Sequence, residues 1–282
     1  MRRVIWLACA LALAAPESAA AGGADTAALQ VALRAVGVYH GDVDGVAGPQ
    51  TTRAVRRFQA SAGLAADGVA GARTRRALGR RGRPPFGSRA LHAGQRGWDV
   101  AALQFRLALQ GFPSGTFDGG FGAHLDAAVR RFQRSLGLAP DGVVGPATFA
   151  ALGRPPPRPP VALAWPLRFP RLGDRYGPRG ARFHAGVDFP APSGTTVRAA
   201  GSGRVVFAGW LSGWGNLVVI AHALHERTRY AHLSAFLVRR GAWVATGTPI
   251  GRVGATGDAT GPHLHFEVVV HNANVNPLLA LP

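Results

Sequence analysis

The sequence predicts a multidomain chain in which two small all-α, three-helix repeats precede a mainly antiparallel β domain. Three observations carry this. Residues 29–79 align on residues 103–153 without a gap at a constant offset of 74, the separation of Asp44 from Asp118. A proline run, R-P-P-P-R-P-P at 154–160, follows the second copy. Beyond Trp165 the texture changes to short β-branched runs between glycine-rich turns.

Taken in order, Arg2 and Arg3 precede an apolar run over 4–15, Pro16 breaks it, and the small residues at 18–21 suit signal peptidase. This predicts a cleaved secretory signal over 1–21 and places the mature protein outside the cytoplasm, at the wall or in a periplasm. The apolar run is too short to span a bilayer, so no integral membrane segment is expected after cleavage. The single cysteine, Cys9, lies within it, which leaves the mature chain without a disulfide or a thiolate ligand.

The first repeat is expected over 25–80. Leu29, Leu33 and Val36 recur at helical spacing, Gly37 stops that helix, and Gly48-Pro49 opens a second whose apolar edge holds Val55 and Phe58. Gly63 ends it, and a short third helix follows Gly71. The second repeat, over 98–153, carries the same A-V-R-R-F-Q core, and roughly half of its positions are identical. Phe58, Phe132, Leu64 and Leu138 are assigned to the cores. Each copy has two D-G-x-x-G turns, at Asp44, Asp67, Asp118 and Asp141, where glycine permits positive φ and aspartate caps nearby amides. Residues 81–97 form a looser connector. Residues 154–162 form a stiff polyproline linker, and 163–282 the β domain, with strands expected over 203–207, 217–220 and 266–270.

The formal charge is +18, and every basic residue is arginine. Such a balance attracts polyanions, which outside a cell means anionic wall polymers, acidic peptide stems or lipid headgroups. The alternative is charge spread over solvated faces as a by-product of composition. Nucleic acid is not expected as a partner of an exported chain without a clustered basic tract, and a monomer is expected.

Chemistry concentrates in five residues: His184 and Asp188 in H-A-G-V-D, His232 in Y-A-H-L, and His263 with His265 in G-P-H-L-H-F-E. A catalytic zinc takes three N or O ligands and keeps a fourth position open, and histidine with carboxylate suits that role where no thiol is available. His184 and Asp188 lie four apart, and His263 and His265 two apart, so each pair shares one face of an extended run. One histidine of the second pair can bind metal while the other faces substrate.

The ordered set W-P-L at Trp165, Y-G-P-R at Tyr176, H-A-G-V-D-F, A-G-S-G-R-V at Ala200, G-N-L-V-V-I-A-H at Gly215, Y-A-H-L-S and G-D-A-T-G-P-H-L-H-F-E-V resembles the lysostaphin and LytM type of zinc endopeptidase over the whole β domain. The resemblance implies one Zn2+ held by His184, Asp188 and His265, with His232 and His263 as catalytic histidines. It further implies His222 and Glu267 as supports behind the ligands, and leaves Arg179 as a contact for acidic substrate. The repeats resemble three-helix peptidoglycan-binding domains. The second departs where Ala123 and Leu125 replace the Pro and Thr that Pro49 and Thr51 supply in the first. Relatives that cut glycine bridges carry a tyrosine just before the first zinc histidine, whereas residues 180–183 contain none and Tyr176 is eight positions away.

The expectation is therefore a secreted, zinc-dependent endopeptidase hydrolysing peptide cross-links of bacterial peptidoglycan, D-alanyl to a diamino acid, brought to the wall by two binding modules. Its rivals are a non-catalytic wall-binding regulator or scaffold of another hydrolase, and a zinc protease acting on glycine-rich proteins.

Overall fold

The computed structural model describes residues 19–282; the predicted signal segment falls outside them except for the backbone of residues 19–21. The helices are α1 (Ala19–Ala35), α2 (Pro49–Ser61), α3 (Ala72–Ala77), α4 (Trp98–Leu109), α5 (Ala123–Ser135) and α6 (Pro146–Leu152). The 74-residue offset carries α2 onto α5 residue for residue. Proline sits in the first turn of α2 and α6, where its missing N–H costs nothing. Ala123 opens α5 equally well, because an extended Gly122 precedes it as Gly48 precedes Pro49.

All four D-G-x-x-G loops close on a buried glutamine. Gln30, Gln59, Gln104 and Gln133 each donate from Nε2 to the loop aspartate, at 2.7, 2.7, 2.8 and 2.8 Å for Asp44, Asp67, Asp118 and Asp141. Each also accepts at Oε1 from the glycine amide that follows the aspartate. The aspartate in turn accepts the amide two residues on. A buried amide side chain with both ends satisfied fixes a loop that has almost no apolar side chains of its own.

The two repeats pack directly together. Ala24, Ala27 and Ala28 of α1 let it approach Ala101 and Ala108 of α4, and Trp98, Phe105 and Phe117 fill the same core. Trp98 Nε1 donates to Asp25 Oδ1 at 2.8 Å, so the large ring is buried without an orphaned donor. Phe58 and Phe132 are buried as expected. Leu64 and Leu138 are only half-buried, because each follows the glycine that ends a helix and sits where the chain turns to solvent.

The β domain holds β1 (Gly177–Arg179), β2 (Arg182–His184), β3 (Val187–Pro190), β4 (Thr196–Arg198), β5 (Gly203–Leu211), β6 (Gly215–Ala221), β7 (Glu226–Phe236), β8 (Trp243–Val244), β9 (Pro249–Val253), β10 (His263–Val270) and β11 (Ala273–Val275). β1 and β2 form a separate hairpin, and the remaining nine build one antiparallel sheet with the path β11-β10-β7-β6-β5-β8. Strand alternation sorts β10 into two faces. Leu264, Phe266, Val268 and Val270 enter the main core with Val187, Phe189, Val218, Ile220 and Tyr230. His263, His265, Glu267 and Val269 take the other face.

Among the described residues, Glu226 is the buried carboxyl without a well-formed hydrogen bond on either oxygen. Burial pushes it up to about 7, against a weaker opposing pull from the nearby Val161 amide. A carboxyl raised in the folded state binds more protons there than in the unfolded chain, so its contribution to stability falls as pH rises from about 4.5 through about 7. Glu226→Gln is therefore expected to raise Tm at pH 8 and to flatten the gain in Tm that the parent protein shows between pH 8 and pH 5. An unchanged slope in thermal melts across that range would count against a strained Glu226.

Candidate metal centre and its histidine cleft

Register brings the first three residues together. In the β3–β10 pairing Asp188 lies directly opposite His265, and Phe189 opposite Leu264. β7 flanks β10 on its other side, with Ala231 opposite His265, which puts His232 at the next position along. His184 ends β2 and enters the site from the hairpin. Gly186 makes the short passage from His184 to Asp188 possible: a Cβ there would collide with the Phe266 carbonyl oxygen and press on the His265 ring. The second glycine-free half of H-A-G-V-D then alternates Val187 inward and Asp188 outward.

His184 Nε2, Asp188 Oδ1 and His265 Nδ1 form a triangle with sides of 3.1, 2.8 and 3.2 Å. The partners on the far side of each ring decide which atoms these are. His184 Nδ1 lies 2.9 Å from the Arg175 carbonyl, which can only accept, so the proton is on Nδ1 and the Nε2 lone pair faces inward. His265 Nε2 lies 3.1 Å from Glu267 Oε1, which leaves Nδ1 facing inward. Three acceptors pointed at one another need a proton or a cation between them. Zinc bonds of about 2.0–2.2 Å separate tetrahedral ligands by roughly 3.3–3.6 Å, so the three atoms fit such an ion once each moves outward by a few tenths of an ångström.

Electrostatics point the same way. Burial raises the Asp188 carboxyl, yet the His184 and His265 imidazoles packed against it overcome this and hold it well below the usual range. Burial lowers His265, but Asp188 and Glu267 on either side together raise it to about 9. Without a metal, the two carboxylates thus keep an extra proton on His265. Arg179, more than half exposed, bonds Asp174 at 2.7 Å and stands 3.6 Å from the second oxygen of Asp188.

The remaining two histidines stand beside the triangle. His232 and His263 have ring centroids 4.7 Å apart, and His232 is 5.8 Å from the His265 ring. Each uses Nδ1 on a backbone carbonyl, Thr256 at 2.7 Å for His232 and Gly261 at 2.8 Å for His263, which turns Nε2 into the cleft, that of His263 to 3.7 Å from Asp188 Oδ1. His232 adopts φ +61°, a left-handed conformation that a non-glycine residue keeps only where the surroundings impose it. Burial pushes its imidazole down, with a smaller opposing contribution from the Thr256 bond, so it is neutral at neutral pH.

Glu267 supports the site directly. Besides His265 it accepts from Trp214 Nε1 at 3.2 Å, Arg229 Nη1 at 2.7 Å and Asn274 Nδ2 at 2.9 Å. His222 does not: it bonds Ser202 and Thr228 on the core side, where Thr228 meets the buried Tyr230 hydroxyl. Tyr176 is tied through its hydroxyl to the Asn274 carbonyl, so it offers no free phenol to the cleft. Thr256, Trp214, Arg229 and Asn274 escape a reading of sequence, because each acts through a fold-dependent contact. Thr256, inside G-A-T-G-D-A-T-G, is the one with a local signal.

Residues 182–277 match Peptidase family M23, and residues 22–78 and 96–152 match the Putative peptidoglycan binding domain. The DD-carboxypeptidase/endopeptidase Mpg of Neisseria meningitidis is 45% identical over 124 residues, 42% of this chain and 29% of that protein. The peptidoglycan DD-endopeptidase ShyC of Vibrio cholerae is 40% identical over 122 residues, 41% of this chain and 28% of that protein. The murein hydrolase activator EnvC of Escherichia coli is 38% identical over 115 residues, 40% of this chain and 27% of that protein. The chain thus spans less than a third of the length of these relatives. Among solved structures, the catalytic domain of lysostaphin from Staphylococcus simulans is 37% identical, covering 39% of this chain and 90% of that one, with a TM-score of 0.38.

A metal entering the triangle must displace the extra proton on His265. Calorimetry of zinc uptake by metal-free protein at pH 7.5, repeated in buffers of different ionisation enthalpy, is expected to report close to one proton released per ion. Asp188→Ala should abolish the uptake. Binding with no proton release would place the ion elsewhere.

Proposed function

We propose that this chain, whose C-terminal domain belongs to peptidase family M23, is a zinc-dependent endopeptidase that hydrolyses peptide cross-links of bacterial peptidoglycan outside the cytoplasm. One observation carries the reading: three inward-facing acceptors at 2.8–3.2 Å stand beside two imidazoles whose Nδ1 atoms are held by backbone carbonyls, so that Nε2 of each faces the cleft. His184 Nε2, Asp188 Oδ1 and His265 Nδ1 would hold the zinc. When bound, the ion supplies Lewis acidity that acidifies water toward neutral pH and polarises a peptide carbonyl.

The protein's own residues then handle position and protons. His232, neutral because it is buried, accepts a proton at Nε2 from the attacking water. The Thr256 carbonyl stabilises the imidazolium by accepting a 2.7 Å hydrogen bond from Nδ1–H. His263 aims the Nε2 lone pair into the same space, with its ring 4.7 Å from that of His232, so the proton taken from water can be relayed across the pair to the leaving amine. Glu267 fixes the His265 ring, and three donors in turn fix Glu267.

The substrate is assigned to stem-peptide cross-links, D-alanyl to a diamino acid. Residues 180–183 carry no tyrosine, and the Tyr176 hydroxyl is engaged by Asn274. The two repeats supply wall affinity and raise the concentration of cross-links near the cleft.

Purified sacculi digested with the protein and resolved by muropeptide mass analysis test the reading. Loss of cross-linked dimers is expected, abolished by chelation and restored by zinc. His232→Ala and His263→Ala should each slow it by about 10²-fold or more while the zinc content stays the same. Unaltered muropeptides from zinc-loaded protein that still binds the wall would transfer support to an activator of another hydrolase.

A further inference from the structure

Despite the polyproline spacer, both repeats contact the β domain, and they do so at the two segments that carry zinc ligands. The β1–β2 hairpin lies against them through its tip. The Val43 amide donates to the Gly180 carbonyl at 2.8 Å, and the Phe117 amide to the Ala181 carbonyl at 2.7 Å. Val43 and Phe117 are equivalent positions of the two repeats, 74 residues apart, so the same loop of each repeat grips neighbouring residues of one hairpin. Asp42 Oδ1 also accepts the Gly180 amide at 2.7 Å. Phe183, the residue before His184, is buried in the core of the repeats, edge-on to Tyr176 at 4.9 Å.

The second contact lies behind His265. The Gly111 carbonyl, at the end of α4, accepts the Asn274 amide at 2.9 Å. Asn274 sits on β11 and sends Nδ2 to Glu267 at 2.9 Å and to the Ala185 carbonyl at 3.3 Å. Glu267 is the carboxylate that orients His265. A continuous path of hydrogen bonds therefore joins the second repeat to one zinc ligand, and a buried aromatic ring joins the repeats to another.

We infer that the repeats are positioning parts of the metal site: they clamp the hairpin that presents His184 and, through Gly111 and Asn274, hold the Glu267–His265 pair. The inference rests on the proposed zinc site but not on its substrate. Asn274 is a positioning residue that acts through Glu267. Outer partners of this kind typically change metal affinity or activity by about 10- to 100-fold when removed.

The repeat supplies its own control. Gly37 and Gly111 are equivalent glycines with φ of +78° and +87°, so alanine strains the backbone equally at both. A Cβ at Gly37 meets nothing within 4 Å, whereas one at Gly111 collides with the Asn274 carbonyl and comes within 2.8 Å of its amide nitrogen. Full-length Gly111→Ala, Gly37→Ala, Asn274→Ala and Asp42→Ala are compared by chelator competition for zinc, and by kcat and KM on a soluble cross-linked muropeptide dimer, for which wall affinity is irrelevant. Gly111→Ala and Asn274→Ala are expected to weaken zinc retention about 10-fold or more and to lower kcat with KM nearly unchanged. Gly37→Ala should lower Tm through the shared backbone strain alone and leave zinc retention unchanged. Should Gly111→Ala fail to fold, Asp42→Ala at the exposed end of the clamp still tests the coupling, with a smaller loss of zinc retention expected. Equal zinc retention in all four variants and the parent overturns the inference, as does a loss confined to Asn274→Ala while Gly111→Ala binds normally. Differences in zinc retention without hydrolysis of the dimer would support the clamp and count against the proposed substrate.

Discussion

Each imidazole in the cleft commits one ring nitrogen to an acceptor outside it, and the chemistry depends on that constraint. Carbonyl oxygens of Arg175, Thr256 and Gly261 hold Nδ1 of His184, His232 and His263, while Glu267 holds Nε2 of His265. A carbonyl cannot donate, so the proton sits on the outer nitrogen and a lone pair faces inward. The result is a cavity wall made of acceptors, which is costly unless a cation or a proton fills it. His184 and His265 turn different ring nitrogens inward, Nε2 and Nδ1, because their outer partners hold opposite nitrogens of the imidazole.

The sheet supplies these outer partners at little cost. β10 presents its core face to Tyr230 and Phe189 and turns His263, His265 and Glu267 to the other side, so one strand provides the proposed ligand, a proposed catalytic imidazole and the carboxylate that orients the ligand. Glu267 is fully enclosed, where an unpaired carboxylate would be strongly unfavourable. Four donors from β7, β10, β11 and the β5–β6 turn meet it there.

Much of this was legible in the sequence, for identifiable reasons. The repeat offset located the helices because identical caps and core positions force identical elements, and strand alternation in H-L-H-F-E placed His263 and His265 on one face. Glu267 could be suspected from its place beside them. His222 could not be separated from it, since both belong to recurring motifs and only the pleat sends His222 to the core side. The glutamine clamps recur in the aligned copies at Gln30 and Gln104, and at Gln59 and Gln133, but a glutamine on a helix face looks solvated until the loop folds over it. Asn274 and Gly111 lie 163 residues apart in the numbering. Nothing local marks them as partners.

The structure joins the two helical repeats to the β domain through contacts that reach His184 and the Glu267–His265 pair, so the site is a property of the whole chain. Its central claim concerns which atoms face the ion. Diffraction from zinc-loaded crystals at wavelengths on either side of the zinc edge would decide it. The account predicts one anomalous peak among His184 Nε2, Asp188 Oδ1 and His265 Nδ1, with His232 and His263 outside the coordination shell. A peak bonded to His232 or His263, or to His265 through Nε2, would contradict it.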